Sequence, residues 1–172
     1  MCFQKHIWLL LLLSIIDARI IVKTIENCDP KANYPFIMSV KTYNRPEAQY
    51  FDLNCTWPVD MDSTIGILME FDYVVGGRSL RILKAKENYL CDAANKYLGE
   101  PWYEACRQAK IPVKKCPIPK GFYQLTNYKF DSDKLGVPPL PFGVITSKST
   151  VFNNKNDEVL ACIKLELDNQ QK

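Results

Sequence analysis

The strongest constraint in the sequence is a strict two-residue alternation that ends in a pair of glycines. Over residues 64–75, Ile65, Ile67, Met69, Phe71, Tyr73 and Val75 recur at every second position, with Glu70 and Asp72 opposite. Successive side chains of a strand point to opposite faces, so this segment makes one apolar face and one wet one. Gly76-Gly77 follows, and a two-residue hairpin turn needs positive φ, which glycine supplies. Residues 78–85 read as the returning strand, with Leu80 and Ile82 facing inward.

The same period recurs elsewhere. Residues 36–43 set Phe36, Met38 and Val40 against Ser39 and Lys41, and residues 50–57 set Phe51, Leu53, Cys55 and Trp57 against Asp52, Asn54 and Thr56. Further strands are expected over residues 122–130, 144–152 and 158–167, with the polar tract 153–157 as the last turn. Residues 88–109 break the pattern: Tyr89, Leu90, Ala93, Ala94, Tyr97 and Leu98 recur at helical spacing, and Gly99 is a natural stop. Pro101 can open a second short helix with Trp102, Cys106 and Ala109 on one face. Residues 137–142 form an apolar loop. About seven strands with one helical excursion predict a mainly β protein, an antiparallel β-cup or sandwich.

The N-terminus alters what the rest contains. Lys5 precedes an apolar run over residues 7–16, followed by Asp17-Ala18. A bilayer span needs about 20 apolar residues, so this shorter run reads as a secretory signal peptide over residues 1–18, with a signal anchor as the alternative. Residues 19–172 then form a single domain. Losing the leader removes Cys2 and His6, which leaves six cysteines and no histidine. An even cysteine count in a secreted chain predicts three disulfides. The missing imidazole argues against serine and cysteine hydrolases and against catalytic zinc, so no enzyme, cofactor or metal is expected. A net charge of +3 is too small to imply a nucleic-acid partner.

Other groups have plain readings. Glu70/Asp72 and Asp131/Asp133 are expected to be solvated carboxylates. The Asp60-to-Thr64 stretch is a turn without the glycine and distal glutamate of a calcium loop. Arg107, Lys110, Lys114 and Lys115 form a basic cluster, either a solvated face or a transient membrane-surface contact. Asn54-Cys55-Thr56 is an N-glycosylation sequon at Asn54. Trp102, Tyr103, Leu140 and Phe142 lie where loops are normally polar, and read either as a plug on the core or as the rim of a cavity.

Four cysteine-centred segments then carry a resemblance. Asn27-Cys28-Asp29, Leu90-Cys91-Asp92, the run from Cys116-Pro117 to Phe122-Tyr123, and Ala161-Cys162-Ile163-Lys164-Leu165 occur in that order. Together they resemble the lysosomal ganglioside activator protein and its insect relatives, the CheB chemosensory proteins. The insect branch looks closer through Asn127-Tyr128-Lys129-Phe130 and the Pro138-to-Phe142 loop. The resemblance implies a β-cup that holds lipid without catalysing anything. It also implies the pairs Cys28–Cys162, Cys91–Cys116 and, with them, Cys55–Cys106. Lys114 stands where the activator has a further cysteine, so the loop geometry at the cup's mouth is expected to differ.

These readings converge on a secreted carrier or presenter of a lipid or other hydrophobic small molecule, serving pheromone or cuticular-lipid perception with a chemosensory receptor or other protein as possible partner. Ile65, Ile67, Met69, Phe71, Tyr73, Leu80 and Ile82 are expected to wall the cavity, and Trp102, Tyr103, Leu140 and Phe142 to form its mouth. Two alternatives stand beside this: an extracellular protein-interaction module with a filled core, and a lipid-presenting cofactor of a hydrolase in the lysosomal lumen.

Overall fold

The computed structural model describes residues 18–136 and 140–171. The expected leader, apart from Ala18, and residues 137–139 of the apolar loop lie outside the described residues. The chain is mainly β. Its strands are β1 (Ala18–Asn27), β2 (Ile37–Arg45), β3 (Ala48–Trp57), β4 (Ile65–Val75), β5 (Arg78–Glu87), β6 (Gly121–Phe130), β7 (Gly143–Asn153) and β8 (Val159–Gln171). Two short helices, α1 (Leu90–Tyr97) and α2 (Gly99–Gln108), separate β5 from β6. The strands form two antiparallel sheets, one in the order β1-β8-β7-β4-β5 and one in the order β2-β3-β6.

The β4–β5 hairpin forms where the alternation and the Gly-Gly pair place it, with φ of +57° at Gly76 and +72° at Gly77. Its two strands do not stay in phase. Phe71 faces Leu83 but Asp72 faces Arg81, so Ile82 is the extra residue of a β-bulge. A second bulge, between Val22 and Thr24, interrupts β1. That strand was not among the expected ones. Ile20-Ile21-Val22 is a continuous apolar run followed by the bulge, so no period-two signal survives. Ala18, placed in the leader by the sequence, pairs with Gln171.

At one end the two sheets touch directly. Val22, Ile145 and Leu167 of the larger sheet are buried against Phe51 of the smaller one, with Tyr73, Val40, Tyr128 and Phe130 around them. At the other end the helices intervene: Cys55 and Trp57 of β3 pack with Met61, Cys91, Cys106, Ile111 and Ile118. Trp102 of α2 and Ala109 at its C-terminal end close this second cluster. A third cluster, Ile65, Val151, Leu160 and Ala161, fills the space beside β4, β7 and β8.

Among the described residues, two disulfides are present. Cys28–Cys162 joins the segment after β1 to β8, with Cα atoms 5.3 Å apart, and the Cys28 N–H donates to the Cys162 carbonyl at 2.9 Å. Cys91–Cys116 ties the first turn of α1 to the segment before β6, with Cα atoms 6.0 Å apart. The expected third bridge is corrected: Cys55 and Cys106 are free thiols. Each is packed as a small apolar side chain in the same buried cluster, Cys55 from the inner face of β3 and Cys106 from α2.

Candidate functional site: an apolar cavity beneath the first helix

The inner face of β4 continues from Ile65, which is buried, beneath the first helix. Yet Ile67, Met69 and Phe71 are only half-buried. They face a cavity of about 350 Å³, within the usual range for small-molecule sites. Leu83 and Ala85 of β5 extend the same wall, and Ser147 and Ser149 of β7 with Leu165 of β8 complete the floor. Leu90, Ala93, Ala94 and Tyr97 of α1, with Leu98 just after it, form the roof.

The cavity exists because small side chains meet there. Ala93 and Ala94 sit at helical spacing on the stripe that α1 turns to the sheet, opposite Ala85, Ser147 and Ser149. Larger groups at any of these positions would fill the gap, as Ile145 and Phe51 do in the cluster where the sheets touch. Among the described residues, no charged side chain lines the cavity. Its one aromatic hydroxyl is turned away, since Tyr97 donates to Glu87 Oε1 at 2.6 Å, where Lys96 also donates at 2.9 Å. Those two donors hold the Glu87 carboxyl below its ordinary range, with Tyr97 the larger influence. Tyr97 thus gives its ring to the cavity and its polar tip to the surface. The loop after β6 is fastened to the same helix end, where the Gly136 N–H donates to the Tyr97 carbonyl at 3.0 Å.

Of the residues assigned to the wall from sequence, Ile67, Met69 and Phe71 line the cavity. Ile65 is 2% exposed within the third cluster, and Tyr73 packs where the sheets meet. Leu80 and Ile82 are corrected: both are exposed, Leu80 at 60%. The bulge at Ile82 shifts the phase of β5, so Leu83 and Ala85 take the inward positions, and Leu80 lies near the hairpin tip of an edge strand.

The four residues assigned to the mouth do not border the cavity. Trp102 covers the cluster around Cys55 and Cys106. Tyr103 donates to the Asn95 carbonyl at 3.2 Å, with Lys114 Nζ 4.7 Å from its ring centre. Leu140 packs where the sheets touch, and Phe142 is exposed. The roof residues from α1 were legible as a helical stripe but not as cavity lining. The signal that marks them is the adjacent pair of alanines on that stripe. Ser147 and Ser149 were also missed, though two serines two residues apart on an otherwise apolar strand face are visible in the sequence.

Elsewhere, Glu70 and Asp72 both pair with Arg81 on the wet face of the larger sheet. Arg107 pairs with Glu100 at 2.8 Å. Asn54 is exposed on β3, with Cys55 turned inward behind it. Burial pushes the Cys55 and Cys106 thiols up to about 11.

No family model and no curated protein matches the chain. Solved structures do show some likeness. Chicken MD-1, in a crystal structure complexed with lipid IVa, is 15% identical with a TM-score of 0.39, covering 89% of this chain and 97% of that one. A Niemann-Pick type C2 protein from Japanese carpenter ant is 16% identical with a TM-score of 0.30, covering 86% of each chain. At these values neither likeness carries a functional assignment.

Proposed function

We propose that the protein is a secreted, non-enzymatic carrier or presenter of a lipid, with insect chemosensation as its setting. The observation that carries the reading is the cavity: about 350 Å³ walled by apolar side chains from β4, β5, β8 and α1, with no charged group among the described residues that line it. Burial of apolar surface, about 25 cal/mol per Å², is the driving force such a site offers. A protein-interaction module with a filled core has no use for this space. Two disulfides favour an oxidising compartment, extracellular or lysosomal. No helix among the described residues is long and apolar enough to cross a membrane. The chemosensory setting rests on the cysteine-centred motifs and the Asn127-to-Phe130 run that resemble the CheB proteins.

The test is fluorescence titration of the secreted protein with the apolar probe N-phenylnaphthylamine, followed by competition with long-chain lipids. Saturable uptake, displaced by lipid and abolished by Met69→Trp, supports the reading. A probe that never saturates, or that Met69→Trp leaves untouched, removes it. Expression mapping separates the settings: chemosensory tissue supports the carrier of a signal lipid, and a lysosomal distribution replaces it with the hydrolase cofactor.

A further inference from the structure

Among the described residues, three buried side-chain polar atoms have no hydrogen-bond partner: Trp57 Nε1, Ser147 Oγ and Asn169 Oδ1. Only Ser147 of these three lies on the cavity wall. It is 3% exposed and sits on β7, the middle strand of the larger sheet. In the ladder it stands opposite Phe71 on one side and Leu165 on the other, both of which also line the cavity. Its backbone is therefore inside the sheet, and its hydroxyl is the unmatched group.

A buried hydroxyl without a partner opposes folding, and alanine would occupy the same place without that cost. The site gains from a serine only when something supplies a partner. We infer that Ser147 Oγ is the hydrogen-bonding anchor for an oxygen atom of the bound lipid, a neutral alcohol, ester or ketone whose polar atom is buried on the cavity floor rather than at its rim. This rests on the lipid-carrier reading above.

The surrounding chemistry narrows the class. A serine hydroxyl both donates and accepts, so it serves an alcohol in either sense and a carbonyl as donor. Among the described residues, no Lys, Arg or His lines the cavity. An ionised carboxylate or phosphate would be buried without a counter-charge, so anionic head groups do not fit the floor. A plain hydrocarbon fits the walls but leaves Ser147 unpaired. Ser149, two positions along the same strand face, lies beside it on the lining and extends the polar spot along the floor.

The experiment compares hexadecane, hexadecanol, methyl palmitate and palmitate as competitors for the same fluorescent probe, on the wild-type secreted protein and on Ser147→Ala. The inference predicts that wild type prefers hexadecanol and methyl palmitate over hexadecane by about tenfold, the scale of one buried hydrogen bond. Palmitate, ionised, should compete less well than its methyl ester. In Ser147→Ala the preference over hexadecane should collapse to near parity while hexadecane itself is unchanged. The variant should melt at or above the wild-type temperature, because it loses an unpaired hydroxyl. Equal binding of hexadecane and hexadecanol by wild type overturns the inference and leaves the carrier reading standing. A Ser147→Ala variant that keeps the preference, or that melts lower than wild type, overturns it too. If none of the four competes, the carrier reading falls and takes this inference with it.

Discussion

The side chain of Gln49 hydrogen-bonds both backbone groups of Val22 across the two sheets. Its Nε2 donates to the Val22 carbonyl at 2.8 Å, and its Oε1 accepts from the Val22 N–H at 2.9 Å. A neighbouring strand would offer the same pair of bonds. Gln49 supplies them from β3 at the point where β1 departs from its register with β8. Both residues are buried, so neither backbone group has water as a substitute. Gln49→Leu keeps the volume and orphans both groups. Each unpaired group costs about 1–3 kcal/mol, so denaturant unfolding should show a loss of about 2–6 kcal/mol. A loss within error of zero would mean that β1 finds other partners.

The Cys28–Cys162 bridge closes a separation of 134 residues. Removing a native disulfide that closes so long a loop costs about 2–5 kcal/mol. The double variant Cys28→Ser/Cys162→Ser should therefore unfold at markedly lower denaturant. The equivalent pair Cys91→Ser/Cys116→Ser, separated by 25 residues, should lose less stability but loosen α1, the cavity roof. Probe affinity should fall more in the second variant than in the first, measured at a temperature where both remain folded.

Cys55 and Cys106 give a prediction on reactivity and on pH. Both thiols are buried and their pKa values stand at about 11, against an ordinary 9.0. Iodoacetamide at pH 8 should leave them unmodified in the native protein and label both once it is unfolded. Between those two pKa values the native state holds protons that the unfolded chain has released. Their contribution to stability is therefore full below pH 9 and lost as the pH rises towards 11. The double variant Cys55→Ala/Cys106→Ala should show a shallower decline over that window.

Two tryptophan substitutions separate empty space from filled space. Met69 faces the cavity, while Ile145, with no exposed surface, is packed where the sheets touch. Met69→Trp should fold, with a change in stability under about 1.5 kcal/mol, and lose probe binding. Ile145→Trp overpacks a full core, which costs about 1–3 kcal/mol or more, and should impair folding. Equal damage from both would mean that the space beneath α1 is not available to a ligand.

Much of this architecture was legible because β4 carries it in plain form. The alternation from Ile65 to Val75, the Gly76-Gly77 turn and the helical stripe from Leu90 to Leu98 predict a sheet, its hairpin and the element beside it. What was hidden is local and physical. The bulge at Ile82 reverses which residues of β5 face inward, and nothing in a period-two pattern announces it. The bulge in β1 erased that strand's signal. The cavity itself is a difference in side-chain volume between Ala85, Ala93, Ala94, Ser147 and Ser149 and their surroundings. Which small residues meet across two elements is a tertiary fact. The same holds for Cys55 and Cys106: an even cysteine count suggested a third bridge, and the fold uses them as packing.

The cavity beneath α1 is proposed to hold a lipid. Native mass spectrometry of the protein purified from its source tissue, before and after organic extraction, is the test. The expected result is a mass excess over the chain with two disulfides that extraction removes, with a neutral, oxygen-bearing lipid recovered in the organic phase. A protein that flies at its bare mass, yields no lipid and takes up no hexadecanol would show that the cavity holds no lipid.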